Sequence, residues 1–521
     1  PTSTIREEIM AKESISTTRR MLLSSGCALP FAAFASDTEA KTGVPAKWDR
    51  EYDVIVVGSG VTGTVAGIRA AEKGAQTVVI EKLGRLGGTS RFSGLNFACV
   101  GSPAQKAAGV RDTPKALADD MARVSGGLGD YTLALKMAEN TARAEAFYRE
   151  HGVEWDGRLL KLGGHSAKRC LVAKGDGAGL LGALWKSAEK LTNLRFYTGV
   201  KLDDIIRDAK GCVVGIKVRE NYVFDRTSED DDLTNQTGDV RYWRARRAVV
   251  MATGGFARDR KFRRMEVPFL DGVSTTTSPG ATAGALKTMI RAGARPVHVC
   301  LYRFAYPLPT EDMIWGVMID PSTGKRFMSE GETRNTLAVG VLQLRLRNGD
   351  RRPFMIYDTK ALSKFHNANR VQRSLNGLNG INGTMYTFNT IEEAARHYGA
   401  DPVTVKATVM AYNDKIATGS DPEFAKPMER SGHQVEPIDT KGPFYAIEIT
   451  PRLNYTPGGV RINTEAQVLS IEDDRPISGL YAAGEAVGGL HGQERMTACS
   501  MPDCSVYGMI AGENAAAEPL K

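Results

Sequence analysis

Three glycines and one carboxylate offer the clearest chemistry in the sequence: Gly58, Gly60 and Gly63 in Gly-x-Gly-x-x-Gly spacing, and Glu81 about twenty residues further on. The first glycine permits a tight turn, the second lets backbone amides approach a pyrophosphate, and the third lets a helix lie close on a strand. Thr62 sits inside the turn. The run Asp53-Val54-Ile55-Val56-Val57 before it reads as a buried strand, the alanine-rich run after it as a helix, and Thr77-Val78-Val79-Ile80 as a second strand. The helix N-terminus would turn its positive dipole end to phosphates. Glu81 closes the second strand beside Lys82, where it can accept from a ribose 2′-hydroxyl. A 2′-phosphate would be repelled there, so FAD or NAD is expected rather than NADP.

Further loops could wrap the same ligand. Gly87-Gly88-Thr89-Ser90, with Gly94 close behind, is a small-residue loop, and Lys174-Gly175-Asp176-Gly177 opens another helix. Ala252-Thr253-Gly254-Gly255 ends an apolar strand, Ala482-Ala483-Gly484-Glu485 returns to that pattern near the C-terminus, and Ser500 opens the last helix. The long separation of the two patterns predicts an α/β fold: a Rossmann-like cofactor domain over 51–300 and 438–521, interrupted by an α+β capping domain over 301–437. Residues 113–150 read as two helices. Residues 194–250 read as antiparallel strands with an exposed hairpin tip, and the acidic run at 228–232 as a solvated turn.

The chain has 521 residues, 42% hydrophobic and 25% charged, enough to bury a large core. Its 55 glycines exceed the usual share of about 7%, as suits a backbone that repeatedly approaches a ligand. The net charge of +8 is spread among interleaved acids. With no arginine-rich arm and no zinc-finger or RNA-binding motif, nucleic acid is not expected as a partner. Ser16-Thr17-Thr18-Arg19-Arg20-Met21-Leu22-Leu23, an apolar stretch and Ala33-Phe34-Ala35 form a twin-arginine export pattern over 1–35, with a linker at 36–50. This implies a periplasmic protein with no transmembrane span, since 21–35 is too short to cross a bilayer. Cys27 would leave with the signal; Cys99, Cys170, Cys212, Cys300, Cys499 and Cys504 include no Cys-x-x-Cys. Haem attachment and a ferredoxin-type cluster are therefore not expected, electrons must come from another protein, and no metal site is read. Cys499 and Cys504 read as buried, reduced thiols.

Taken together, the Gly58 turn, the Gly87-Gly88 loop, the Ala252-Thr253-Gly254-Gly255 turn and Ala483-Gly484-Glu485 resemble the flavoprotein family of soluble fumarate reductases, urocanate and other enoate reductases, and 3-ketosteroid dehydrogenases. Gly324-Lys325-Arg326-Phe327 and the run from Tyr445 to Pro451 are most similar to the flavocytochrome c branch, without its cytochrome domain. The resemblance implies FAD and hydride transfer from flavin N5 to an alkene carbon, with a positioned acid protonating its neighbour. It matches Arg334 to the proton-donating arginine and Arg495, in His491-Gly492-Gln493-Glu494-Arg495, to the arginine that grips a substrate carboxylate. A bidentate guanidinium suits a planar carboxylate.

Two departures shape the expected substrate. Tyr306 stands where fumarate reductases carry a carboxylate-binding histidine, and Asn454-Tyr455 replaces the second one. The implied substrate is an α,β-unsaturated carboxylate such as an arylacrylate or a urocanate-like molecule rather than fumarate, its β-substituent beside Tyr306. The family's Glu and Arg proton relay finds no clear counterpart in Thr310-Glu311-Asp312-Met313, which leaves Tyr306 and Tyr455 as alternative acids. The electron donor would be a separate cytochrome or a quinol-linked protein. Two other readings stand beside this one: a ketosteroid-type dehydrogenase, and a non-catalytic flavin-binding electron-transfer protein.

Overall fold

A computed structural model describes residues 43–349, 351–365, 368–378, 383–430 and 432–521. The export signal and residues 36–42 of the linker lie outside the described residues. The apolar run Arg50–Val57 forms the central strand of an eight-stranded sheet. It pairs in parallel with Thr77–Glu81 on one side and with the C-terminal half of Asp239–Met251 on the other. Leu194–Thr198 and Pro476–Ala482 extend the parallel ladder at its two ends. Val54, Ile55, Val56, Val78, Val79 and Ile80 are all buried, as a strand covered on both faces requires.

Helices Val61–Glu72 and Ser500–Ala517 pack together on this sheet. Gly512 makes their close approach possible: a Cβ there would stand 2.3 Å from the Ala66 carbonyl oxygen. The hairpin Lys201–Arg207 and Val213–Glu220 joins antiparallel to the N-terminal half of Asp239–Met251. The 194–250 region is therefore mixed rather than wholly antiparallel, because one long strand serves a parallel partner at one end and an antiparallel partner at the other. Residues 113–150 form three helices instead of two, Pro114–Val124, Tyr131–Glu139 and Thr141–Glu150, the last pair divided at Asn140.

The acidic run is only partly a solvated turn: Glu229 is exposed, whereas Asp231 is buried and Asp232 half-buried. Asp231 accepts from the Tyr222 hydroxyl and from Asp225 N, while Asp232 pairs with Lys82 at 3.0 Å and accepts from Gly284 N at 3.0 Å. Partners distant in sequence thus bury what local composition would expose. The cap is built on an antiparallel sheet in the order Val317–Ile319, Phe354–Asp358, Phe444–Glu448, Tyr386–Phe388, with helices Arg334–Arg347 and Pro402–Ala417 around it. Phe444–Glu448 lies past residue 437, so the cap sheet draws on chain beyond that boundary. Its apolar alternation looks locally like any strand of the cofactor sheet. The architecture is an α/β cofactor domain interrupted by an α+β cap.

Candidate active site

The turn at 58–63 closes only because it is glycine. Gly58 has φ +102°, and a Cβ on it would meet the Ala252 carbonyl oxygen at 2.3 Å. A Cβ on Gly63 would lie 1.8 Å from the Gly58 carbonyl. Gly60 begins the helix Val61–Glu72 with no side-chain cap, and Val61 N finds only the Ser90 hydroxyl, at 3.1 Å. The remaining first-turn amides are left for an anionic ligand. At Gly88, Gly94 and Gly254 a Cβ would meet no atom within 4 Å, so these backbones border open space. Ser500 opens a helix that also lacks a capping side chain. Uncapped helix starts, open glycine faces and a buried acid at the strand end fit a dinucleotide the size of FAD.

The remaining sequence-derived cofactor residues divide between the cradle and its supports. Glu81 accepts from Ser59 Oγ at 2.7 Å and Leu83 N at 3.0 Å, which orients its carboxylate at the strand end. Thr89 Oγ1 accepts from Ser278 N at 3.1 Å, and Gly87 N donates to Ser59 Oγ at 2.9 Å, tying the second loop to the first turn. Gly177 packs against the Ser90 and Ser93 carbonyls, whereas Asp176 stands exposed at the helix start with φ +53°. Lys82 Nζ donates to Asp232 at 3.0 Å and to Thr282 Oγ1 at 2.5 Å. Asp232 also places a carboxylate against the helix Gly284–Arg291, whose opening Ala283-Gly284-Ala285 has none of its own. Thr62 and Gly484 abut where the helix at 61–72 meets the Ala482-Ala483-Gly484-Glu485 turn, and Thr253 is half-buried beside the exposed Gly254. Glu485 accepts from Thr456 N at 2.8 Å; burial pushes its carboxyl up to about 7.

The second cluster lies where Arg303–Ala305 pairs antiparallel with Arg452–Tyr455. Arg334, first residue of the helix Arg334–Arg347, donates from Nη1 to the Phe304 carbonyl at 3.2 Å. Its guanidinium also lies 3.8 Å from Glu311 and 3.6 Å from Glu494. Glu311 is thus the carboxylate beside Arg334 that sequence comparison did not find. Its signal was a lone Thr310-Glu311 without the expected arginine. Arg495 is buried, with its guanidinium carbon 4.8 Å above the centre of the Tyr455 ring.

Both tyrosine hydroxyls are engaged within the protein. Tyr306 donates to the Arg334 carbonyl at 2.7 Å, Tyr455 donates to Asp503 Oδ2 at 3.3 Å, and burial pushes both phenols well above their ordinary range. His491 Nε2 also meets Asp503 Oδ2, at 3.2 Å, and burial lowers the imidazole pKa, holding it neutral. Asn454, expected at the substrate, pairs with Arg303: its amide oxygen accepts from Nη1 at 3.0 Å and its nitrogen donates to the Arg303 carbonyl at 3.1 Å. Arg303 itself, 4% exposed, was not foreseen. Arg495 Nε, His491 Nδ1 and Asp503 Oδ1 are buried with no partner among the described residues.

The described cysteines form no disulfide, and Cys504, read as buried, is half-buried. All six described ones are free; Cys499 is buried, and burial pushes its thiol well up, away from the reactive thiolate. Among the described residues no group of three or more His, Cys, Asp or Glu side chains could hold a metal, and no helix is long and apolar enough to cross a membrane.

Comparison with known proteins agrees with the geometry. Residues 53–501 match the family model described as the FAD binding domain. The chain is 35% identical over 506 residues to the acrylate reductase flavoprotein subunit of Shewanella woodyi, covering 94% of this chain and 95% of that protein. It is 32% identical over 483 residues to the urocanate reductase of Eggerthella lenta, covering 90% and 75%. Among solved structures, the open conformation of a flavocytochrome c3 fumarate reductase superposes with TM-score 0.76 at 26% identity, over 91% of this chain and 79% of that one. The chain belongs to the FAD binding domain family and is an FAD-dependent oxidoreductase of the fumarate reductase group, acting on carbon–carbon double bonds.

Proposed function

We propose that the protein reduces the double bond of an α,β-unsaturated monocarboxylate, using electrons from a separate cytochrome or quinol-linked donor after twin-arginine export to the periplasm. FAD, when reduced, supplies the hydride that the β-carbon of the enoate accepts. The chain's own residues then deal with charge and proton. Arg495 grips the carboxylate on which negative charge gathers, and a guanidinium in a dry site stabilises that charge far better than one in water. Arg334 delivers a proton to the α-carbon, and Glu311, 34% exposed at its side chain, restores it from solvent. One hydride and one proton convert the alkene to the saturated acid, so the reaction balances.

The observation that carries this reading is the gathering of Arg303, Arg334 and Arg495 at one candidate substrate site, all three guanidinium groups largely withdrawn from water. An uncharged ketosteroid would leave Arg303 and Arg495 without a counter-charge. Tyr306 gives the pocket a buried aromatic wall against which an aryl or imidazolyl β-substituent fits. The relatives named for acrylate and urocanate reduction support a monocarboxylate.

The test is a dye assay: viologen-reduced protein is offered acrylate, urocanate, cinnamate, fumarate, an uncharged enone and a ketosteroid. Reoxidation by the monocarboxylates ahead of fumarate is expected. Reoxidation by the enone alone, or dye reduction on adding the steroid, would overturn the reading. For export, N-terminal sequencing of periplasmic protein should begin at Ser36; intact protein retained in the cytoplasm would remove that part.

A further inference from the structure

Arg303 poses an electrostatic problem that the fold does not solve. It is 4% exposed, and its partners are neutral: the Arg495 carbonyl at 3.0 Å from Nε, the Asn454 amide oxygen at 3.0 Å from Nη1 and the Thr497 hydroxyl at 3.5 Å from Nη2. Among the described residues no carboxylate lies within ion-pair distance of Arg303 or of Arg495. Two other buried guanidinium groups are neutralised by paired carboxylates, whereas Arg263, 2% exposed, donates to the Val273 carbonyl and stands alone rather than beside a second buried cation. Arg169, 0% exposed, has Asp112 at 2.7 Å and Asp120 at 2.6 Å, and Arg326 has Glu330 at 2.8 Å and Asp421 at 2.7 Å. A buried ion without a counter-ion costs several kcal/mol, and two like charges side by side add to that cost.

Strand register adds the second half of the argument. Arg303 pairs across the ladder with Tyr455, and the Tyr455 ring carries the Arg495 guanidinium on its face. The two cations therefore flank the same tyrosine, held by neutral acceptors that orient them without discharging them. Building on the function proposed above, we propose that Arg303 is a second substrate-anchoring cation, and that the substrate carboxylate is clamped by Arg303 and Arg495 together. The clamp admits a carboxylate and discriminates against the amide or ester of the same enoate, because only an anion offsets both charges.

Equilibrium binding tests this without turnover. Flavin-loaded wild type, Arg303→Gln and Arg303→Lys are titrated with propanoate and 3-phenylpropanoate, with the two primary amides as uncharged controls, and the flavin absorption change gives Kd. Arg303→Gln is expected to weaken carboxylate binding about 10- to 100-fold while leaving amide binding and flavin content unchanged. Arg303→Lys should recover about half of that loss on a logarithmic scale, and it decides the matter alone if the glutamine variant does not fold. Wild-type carboxylate affinity in Arg303→Gln, or equal losses for acid and amide in either variant, would overturn the clamp. A wild type that binds amide as tightly as carboxylate would instead overturn the functional reading beneath it.

Discussion

Two buried charge clusters in this molecule obey opposite rules. In the cap, Arg326 and Lys426 face Glu330 and Asp421: Arg326 forks onto Glu330 at 2.9 and 2.8 Å, and Lys426 lies 3.2 Å from Glu330 while donating to the Tyr412 hydroxyl at 2.8 Å. Two cations meet two carboxylates, and nothing more is needed. In the substrate pocket, Arg303 and Arg495 are held by carbonyls, an amide and a hydroxyl, with Arg334 nearby and its carboxylates no closer than 3.6 Å. The balanced cluster completes itself. The unbalanced one lacks an internal counter-charge at Arg303 and Arg495, which is what the proposed carboxylate would supply. Buried charge therefore reports on function through its surplus, not its presence.

The largest effect that should sharpen this contrast is at Arg334. Arg334→Ala should lower kcat about 10^4-fold while the bound-flavin spectrum stays unchanged. Normal turnover would return the acid role to a tyrosine. Next comes the cap. Glu330→Gln leaves Lys426 and Arg326 short of a counter-charge and should cost about 3–5 kcal/mol in a urea titration, with KM unaffected in the folded fraction. A rise in KM without a stability loss would break the distinction between the clusters. Arg495→Ala should raise KM about 100-fold without loss of flavin, and unchanged kinetics would remove it from the site.

The smallest effect falls where the two regimes touch. His165 donates from Nε2 to the Thr497 carbonyl at 2.7 Å, and Nδ1 faces Arg169 at 3.3 Å, so the ring is held as the neutral tautomer. Burial lowers its pKa from 6.5 to about 4. The folded state therefore binds fewer protons than the unfolded state. His165's contribution is fully present above pH 6.5 and is lost as pH falls towards 4, by about 2 kcal/mol between pH 6.5 and 5. Chemical denaturation across that range should show this loss in wild type, and His165→Gln should flatten it; identical slopes would exclude His165 as the source.

The parts legible in the sequence are those whose logic is local. Gly58, Gly60 and Gly63 act on one turn, and their spacing alone predicts the cradle that the fold builds. Interruption of the cofactor domain is visible for the same reason, since both the 252–255 and the 482–485 turns carry their own pattern. Arg334 and Arg495 stand out only through family resemblance. Nothing near Arg303 in sequence marks it, because its meaning comes from Asn454, Arg495 and Thr497 across a strand pair. Glu311 is hidden similarly, since it meets Arg334 only when the cap folds. The converse error occurs at 228–232, where a run of acids reads as surface until Tyr222 takes up Asp231 and Lys82 and Gly284 take up Asp232. The charge partner of Lys82 is hidden by the same route, since Asp232 lies far along the chain.

Substrate charge is the most direct test of the surplus-cation account. Wild-type enzyme reduced with viologen dye is offered acrylate and acrylamide, or cinnamate and cinnamamide, at equal concentration. The account predicts that the acid is reduced with a kcat/KM at least about 100-fold above that of its amide. Equal values for acid and amide would contradict it.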